Sequence, residues 1–193
     1  MAPMLTKKTL CLFEVDLSSG GLPSCEARLA VEYRLLDAVA WSEQPNVDHV
    51  TDRLLFQSRF ERGEHIWTAH NEDDKIVSYC WVTTKPVEIG EIGCAINPRP
   101  DEIYLYDAFT FAEYRGQNLY PAVMHRILSH SQEAGLRRAL IFVMSDNVAS
   151  IRGVRKSGFR EFQRVTYYNF VGLVRYSYRP HLSHAAGVDL LPA

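Results

Sequence analysis

Ala139-Leu140-Ile141-Phe142-Val143-Met144-Ser145-Asp146-Asn147-Val148-Ala149-Ser150-Ile151-Arg152-Gly153-Val154-Arg155-Lys156-Ser157-Gly158-Phe159 opens on six consecutive apolar residues and closes on a glycine and a phenylalanine. An apolar run of that length reads as a strand covered on both faces. Val148 to Lys156 then reads as a short helix stopped by Gly158. Upstream, Asn118 to Ala134 reads as a longer helix, with Leu119, Val123 and Ile127 on one face, Pro121 tolerated in its first turn and Gly135 closing it. Before it, Glu102-Ile103-Tyr104-Leu105-Tyr106-Asp107-Ala108-Phe109-Thr110 is a long strand of high β propensity. Strand, helix, strand predicts a parallel right-handed crossover.

Outward from that unit the pattern turns antiparallel. His65 to Ala69 and Lys75 to Val82 are strand-like runs separated by Asn71-Glu72-Asp73-Asp74, which reads as a hairpin. Val47, Val50, Leu54, Phe56 and Phe60 fall at helical spacing, with Asn46 as N-cap and Gly63 as stop. Thr9 to Asp16 is β-branched and aromatic enough for a strand. Residues 27 to 41 alternate like a strand yet could be helical, and the weight falls on strand followed by loop. A looser stretch holds Pro86, Pro98 and Pro100, Phe159 to Tyr178 makes one or two strands, and the residues after Pro180 read as a tail.

Composition excludes several classes of function. The 193 residues suit one domain, expected over 1–180 with a tail at 181–193. Apolar residues at 47% and charged residues at 23% are ordinary globular usage. A net charge of −2 offers no basic field for a polyanion, so no nucleic-acid partner is expected. Cys11, Cys25, Cys80 and Cys94 form no C-x-x-C pair and read as buried thiols. No run approaches the roughly 20 apolar residues that span a bilayer, and Glu14 and Asp16 interrupt the N-terminal apolar segment. A soluble, cytoplasmic protein without a membrane partner is the expectation. His181-x-x-His184 stands in the tail without an accompanying Cys or carboxylate, so no metal site is expected.

The chemistry concentrates where the strand at 102–110 turns into the long helix. Glu113-Tyr114-Arg115-Gly116-Gln117-Asn118-Leu119-Tyr120 leads into a helix N-terminus, whose backbone N–H groups lack intrahelical partners and carry the positive end of the helix dipole. A phosphate or pyrophosphate suits such a turn. It is neither a P-loop, since no Gly-Lys-Ser/Thr ends it, nor G-x-G-x-x-G.

Asn147-Val148-Ala149-Ser150, followed after five residues by Lys156-Ser157-Gly158-Phe159, resembles the N-x-x-[SA] … [KR]-x-G-F motif of the GNAT superfamily, the acyl-CoA-dependent N-acetyltransferases. Arg115-Gly116-Gln117-Asn118-Leu119-Tyr120 matches in part that superfamily's [RQ]-x-x-G-x-[GA] signature. The resemblance implies the GNAT fold: an α/β domain with a mixed, mostly antiparallel sheet, central splayed parallel strands and flanking helices. Its core would span about 45–178, behind an N-terminal extension over 1–44. It implies acetyl-CoA or another acyl-CoA as co-substrate, and transfer of the acyl group to an amine by direct attack in a ternary complex. The pyrophosphate would rest on the backbone N–H groups of Arg115, Gly116, Gln117, Asn118, Leu119 and Tyr120. Main-chain groups around Phe109, Thr110 and Phe111 would meet the pantetheine and thioester, and Asn147 and Ser150 would contact the cofactor from the second motif. The acceptor would be a small-molecule or peptide amine, with a homodimer left open.

Three positions depart from the family pattern. Asn118 replaces a glycine, and Asn is the residue that best tolerates φ > 0 there. Tyr120 replaces a small residue. Val154 occupies the position of a tyrosine that serves many members as general acid, so a catalytically weak acyl-CoA-binding or sensor module is the alternative reading. For the general base, the family's cleft-facing strand positions are Tyr106 and Tyr104. Past Glu102 at its start, Asp107 is the one carboxylate inside that strand. Strict alternation turns it to the opposite face unless a bulge reverses it, and a buried structural acid is an equal reading.

Overall fold

Leu10, Cys11, Leu12 and Phe13 are all buried, because their strand, β1 (Leu5–Asp16), runs inside a sheet and not along its edge. The computed structural model describes residues 5–45, 47, 50, 53–180 and 189–192. After β1 come β2 (Glu32–Leu36), α1 (Ala38–Ser42), α2 (Arg53–Glu61), β3 (His65–His70), β4 (Ile76–Thr83), β5 (Val87–Ile89), β6 (Cys94–Asn97) and β7 (Glu102–Thr110). A 3-10 turn (Ala112–Tyr114) leads to α3 (Leu119–Glu133), β8 (Arg138–Met144), α4 (Val148–Lys156), β9 (Arg160–Phe170), β10 (Leu173–Pro180) and β11 (Asp189–Pro192). The main sheet has the order β10-β9-β1-β8-β7-β4-β3-β2, and a smaller one the order β11-β6-β5.

The expected mixed α/β fold is present. Neighbours in the main sheet are antiparallel except β7 and β8, which α3 connects as a parallel crossover. Their pairing runs from Glu102↔Arg138 to Leu105↔Ile141 and then ends. Beyond it β7 continues to Thr110 against β4 alone, while β8 continues to Met144 against β1 alone. The two strands therefore part in mid-sheet. Close to the parting, the β4–β7 register shifts between Tyr79 and Trp81, and Asp107 takes φ 44°. A bulge of this kind re-aims side chains.

Packing follows the alternation of the strands. Phe13, Leu105 and Ile141 face α3 and α4, where Met124, Ile127, Leu128 and Val154 close a core layer. Leu10, Leu12, Tyr104 and Leu140 face the other way, against Ile89, Ile92 and Ile96 of the small sheet and its connecting turn. Phe56 and Phe60 of α2 cover Ile66, Ile76 and Trp81 in a third cluster. Tyr176 Oη donates to the Ile92 carbonyl at 2.8 Å and ties β10 to the small sheet.

Several expectations are corrected. The stretch expected as an N-terminal extension supplies β1, paired on both sides by β8 and β9. The helix after residue 46 is shorter than its apolar spacing suggested. It begins at Arg53, and Val47 and Val50 are joined by a turn hydrogen bond of 2.9 Å before it. Asn46 lies outside the described residues. The segment after β2 is a helix and not a loop, because the Asp37 side chain accepts from Ala40 N–H at 2.9 Å and caps α1. The looser stretch contains the β5–β6 hairpin, whose Ile89, Cys94 and Ile96 bury the second face of the main sheet. Residues 189–192, expected as tail, pair with β6. All four cysteines are free and buried. His181 and His184 lie outside the described residues.

Candidate active site

On the α3 and α4 side of the parting, a cavity of about 590 Å³ is lined by Phe109, Thr110, Arg115, Gly116, Asn118, Leu119, Tyr120, Asn147 and Ser150. Strand β7, the turn, α3 and α4 thus bring most of the motif residues around one cavity. Phe111 and Gln117 are the exceptions. Phe111 donates its N–H to the Val77 carbonyl at 3.2 Å and sets its ring edge-on to Phe109. The Gln117 carbonyl accepts from Arg28 N–H at 2.8 Å. Arg115 is only half as expected: its N–H closes the 3-10 turn on the Ala112 carbonyl at 3.3 Å, and its Nε donates to the Thr110 carbonyl at 3.2 Å.

The turn leaves the start of α3 open. Gly116 takes φ 81° and Asn118 takes φ 59°, ψ 19°, so the position of the missing glycine is indeed left-handed. Asn118 stands at the N-cap without capping the helix. Its Nδ2 donates to the Glu26 carbonyl at 2.5 Å and its Oδ1 accepts from Lys156 Nζ at 2.7 Å. Among the described residues the first N–H groups of α3 therefore have neither an intrahelical nor a side-chain acceptor, as an anion site requires. Lys156 and Arg28 line the same cavity and add positive charge. Arg28 carries no motif signal, which is why sequence reasoning missed it.

On the opposite wall, Asn147 Oδ1 accepts from Ser150 N–H at 3.0 Å and caps α4. The Tyr120 hydroxyl lies 3.0 Å from Ser150 Oγ, and burial raises its phenol well above the ordinary value, so it stays protonated. Its bulk is accommodated by Gly153, where a Cβ would stand 2.6 Å from the ring. Val154 is fully buried in the core below.

A second cavity, of about 680 Å³, is lined by Tyr104, Tyr106 and Asp107 together with Arg59, Glu88 and Glu91. The bulge gathers the three: Asp107 turns toward α2, and Arg59 Nη1 donates to its Oδ2 at 2.5 Å. Asp107 is thus satisfied by a guanidinium and not by backbone donors. The Arg59 guanidinium, itself buried, lies 5.0 Å from the Trp81 ring centre and 4.9 Å from that of Tyr106. Tyr104 and Tyr106 stack at 5.5 Å with 3° between their planes. The Tyr104 hydroxyl is buried without a hydrogen-bond partner, and its phenol is pushed well up, first by burial and then by the charge of Glu91. Tyr106 Oη donates to the carboxylate of Glu64, which is 3% exposed and also accepts from Arg62 Nε at 2.6 Å. Sequence reasoning missed Arg59 and Glu64, since neither belongs to a motif and both reach the site through tertiary packing. Trp67 meets His130 of α3 at 5.4 Å. Among the described residues no group of three or more His, Cys, Asp or Glu is placed to hold a metal ion.

The sequence matches the model of the acetyltransferase (GNAT) family over residues 32–159, more than half of the chain. This chain belongs to the GNAT family. Solved structures agree with the family at the level of fold. A GCN5-related N-acetyltransferase from Sphaerobacter thermophilus superposes with a TM-score of 0.58 at 15% identity, covering 84% of this GNAT chain and 51% of that one. A tandem GNAT protein from the clavulanic acid biosynthesis pathway gives 0.53 at 16% identity, over 86% and 54% of the two chains. A glucosamine N-acetyltransferase region of a fungal multi-domain β-N-acetylglucosaminidase gives 0.60 at 11% identity, over 91% and 21%. The chain spans about half the length of the first two. No curated protein matches it. No helix among its described residues is long and apolar enough to cross a membrane.

Proposed function

We propose that this GNAT chain transfers an acyl group, acetyl in the simplest case, from acyl-CoA to an amine by direct attack. One observation carries this reading. The two cavities are lined by consecutive residues of β7, Asp107 for one and Ala108 for the other. A donor in the first and an acceptor in the second would face each other across the parted strands, which is the proximity that direct transfer needs.

The residues present fit acyl-CoA. The uncapped start of α3, with Lys156 and Arg28, suits the phosphates, and the apolar wall of Phe109, Leu119 and Pro121 suits the pantetheine arm. Bound there, the co-substrate supplies an activated thioester. The chain's own residues do the rest. Gly116 and Asn118 hold the turn open, Ser150 and Tyr120 offer hydroxyls to the cavity, and Tyr104, Tyr106 and Asp107 stand on the acceptor side. An amine arrives protonated at neutral pH and must lose a proton before it attacks. Cavity-lining Glu88 and Glu91 favour a cationic acceptor, whether small molecule or peptide.

Calorimetric titration with acetyl-CoA tests the donor site, and free-thiol release with a broad amine panel tests transfer. Saturable binding and amine-dependent thiol are expected, whereas no binding at millimolar cofactor overturns the reading. The buried Val154 at the family's acid position favours a second reading, binding without turnover. Saturable binding with no thiol release would select it.

A further inference from the structure

A buried carboxylate beside a polar cavity needs a reason, because desolvating it costs several kcal/mol unless donors compensate. Glu64 sits between α2 and β3, directly after Gly63, whose φ of 76° turns the chain. Its backbone N–H donates to the Arg59 carbonyl at 3.1 Å, which fixes it against the end of α2. Its side chain has two donors from different elements, Arg62 Nε and Tyr106 Oη. Arg62, half exposed, and Tyr106 both stand on the wall of the acceptor cavity. Of the two side chains that link the carboxylate to the cavity, the phenol is the one that can relay a proton, because a guanidinium stays charged.

We infer that Glu64 is the proton acceptor for the attacking amine and acts through Tyr106, an inference that rests on the acyl-transfer reading above. An N–H proton of the acceptor ammonium passes to Tyr106 Oη as the phenol's own proton passes to the Glu64 carboxylate. The phenol is regenerated, Glu64 becomes a carboxylic acid, and the nitrogen holds a lone pair. That pair forms the N–C bond at the thioester carbonyl. When the C–S bond breaks, a second nitrogen proton leaves with the sulfur as thiol, and Glu64 returns its proton to water beside Arg62. Tyr106 is the catalytic residue, and Glu64 acts through it.

The surroundings suit the transfer. The Arg59 guanidinium over the Tyr106 ring stabilises negative charge that develops on the phenol during the double transfer. Asp107 is tied to Arg59, so it does not compete for the proton. Arg62 faces Glu64 directly, and Lys85, whose Nζ donates to the Arg62 carbonyl at 2.9 Å, lies next along the same turn. Glu88, Glu91 and Tyr104 complete the charged and titratable groups of the cavity.

The test compares wild type, Glu64→Gln and Tyr106→Phe, with acetyl-CoA binding and thermal melts as controls for folding. Gln keeps the shape of Glu64 and can accept from Tyr106, yet cannot take a proton. Expected for Glu64→Gln is a kcat about 100-fold lower at neutral pH with KM for acetyl-CoA unchanged. Its rate should then climb about tenfold per pH unit, following the free amine fraction. Independently of turnover, ultraviolet titration of the phenols, with Tyr106→Phe subtracted, should show Tyr106 ionising at lower pH once the carboxylate is gone. No thiol release from the wild-type chain overturns acyl transfer and the relay together. Wild-type turnover with an unchanged Glu64→Gln profile, or a Tyr106 ionisation indifferent to Glu64→Gln, overturns the relay alone.

Discussion

The ring of Tyr120 packs so closely on Gly153 that a Cβ at 153 would stand 2.6 Å from Tyr120 Cδ1. The bulky residue at the start of α3 and the glycine inside α4 are therefore one feature. Each is puzzling alone, since the motif prefers a small residue at 120 and an interior glycine costs a helix about 1 kcal/mol relative to alanine.

The sign of the Gly153→Ala effect should depend on its partner. In the wild-type background overpacking, at about 1–3 kcal/mol, outweighs the propensity gain of about 1 kcal/mol, and the melting temperature falls. In a Tyr120→Ala background the ring is absent and the same substitution should stabilise. A double-mutant cycle by urea unfolding checks it, and equal effects in both backgrounds would refute the coupling.

Lys156 and Arg28 should contribute to coenzyme A binding as charges at the edge of the cavity. Lys156→Ala or Arg28→Ala is expected to raise Kd about 2–5-fold, with the difference shrinking in high salt. Arg155, on the same helix as Lys156, is held by Glu161 at 3.2 Å and lies outside the cavity wall. Arg155→Ala should leave Kd unchanged in the same calorimetric series.

Asp107→Asn removes the partner of a buried guanidinium. Breaking a fully buried pair costs about 3–5 kcal/mol, but the Asp107 side chain is 40% exposed and water screens the loss. About 1–2 kcal/mol is expected in urea unfolding, together with a raised KM for the amine, because Arg59 no longer has its anchor over Tyr106. Unchanged stability would show that solvent alone satisfies Arg59.

His70 makes stability depend on pH. Its ring is buried, within 2.9 Å of Thr68 Oγ1 and 3.3 Å of Arg34 Nη1. Burial, and then the charge of Arg34, lower its pKa below the ordinary 6.5. With the folded pKa depressed, the unfolded chain binds the proton first as pH falls. This contribution to stability is complete above about pH 6.5 and is lost on acidification toward the folded pKa. A His70→Gln variant should unfold with a shallower pH dependence between pH 7 and 5. The same slope in both proteins would assign the effect to other groups.

The crossover from β7 through α3 to β8 is legible along the chain, because a continuous apolar run and helical spacing are local patterns that need no partner to be read. The turn at 115–120 and the short helix after it at 148–156 are legible for the same reason, since glycine and helix-start chemistry act over a few residues, whereas the capping role of Asn147 is a finding of the structure. Tertiary structure decided what depends on partners distant in sequence. The small sheet was hidden because β5, β6 and β11 are short and acquire their pairing only across the fold. β1 read as a strand, but its place between β8 and β9 is set by both of its faces being buried. In the site, Arg59 and Glu64 reach Asp107 and Tyr106 from α2 and the turn after it, over separations of 48 and 42 residues. Asp107 itself points to the cavity only because a bulge breaks the alternation. Such contacts arise when side chains from separate elements share one desolvated volume, which a linear pattern does not record.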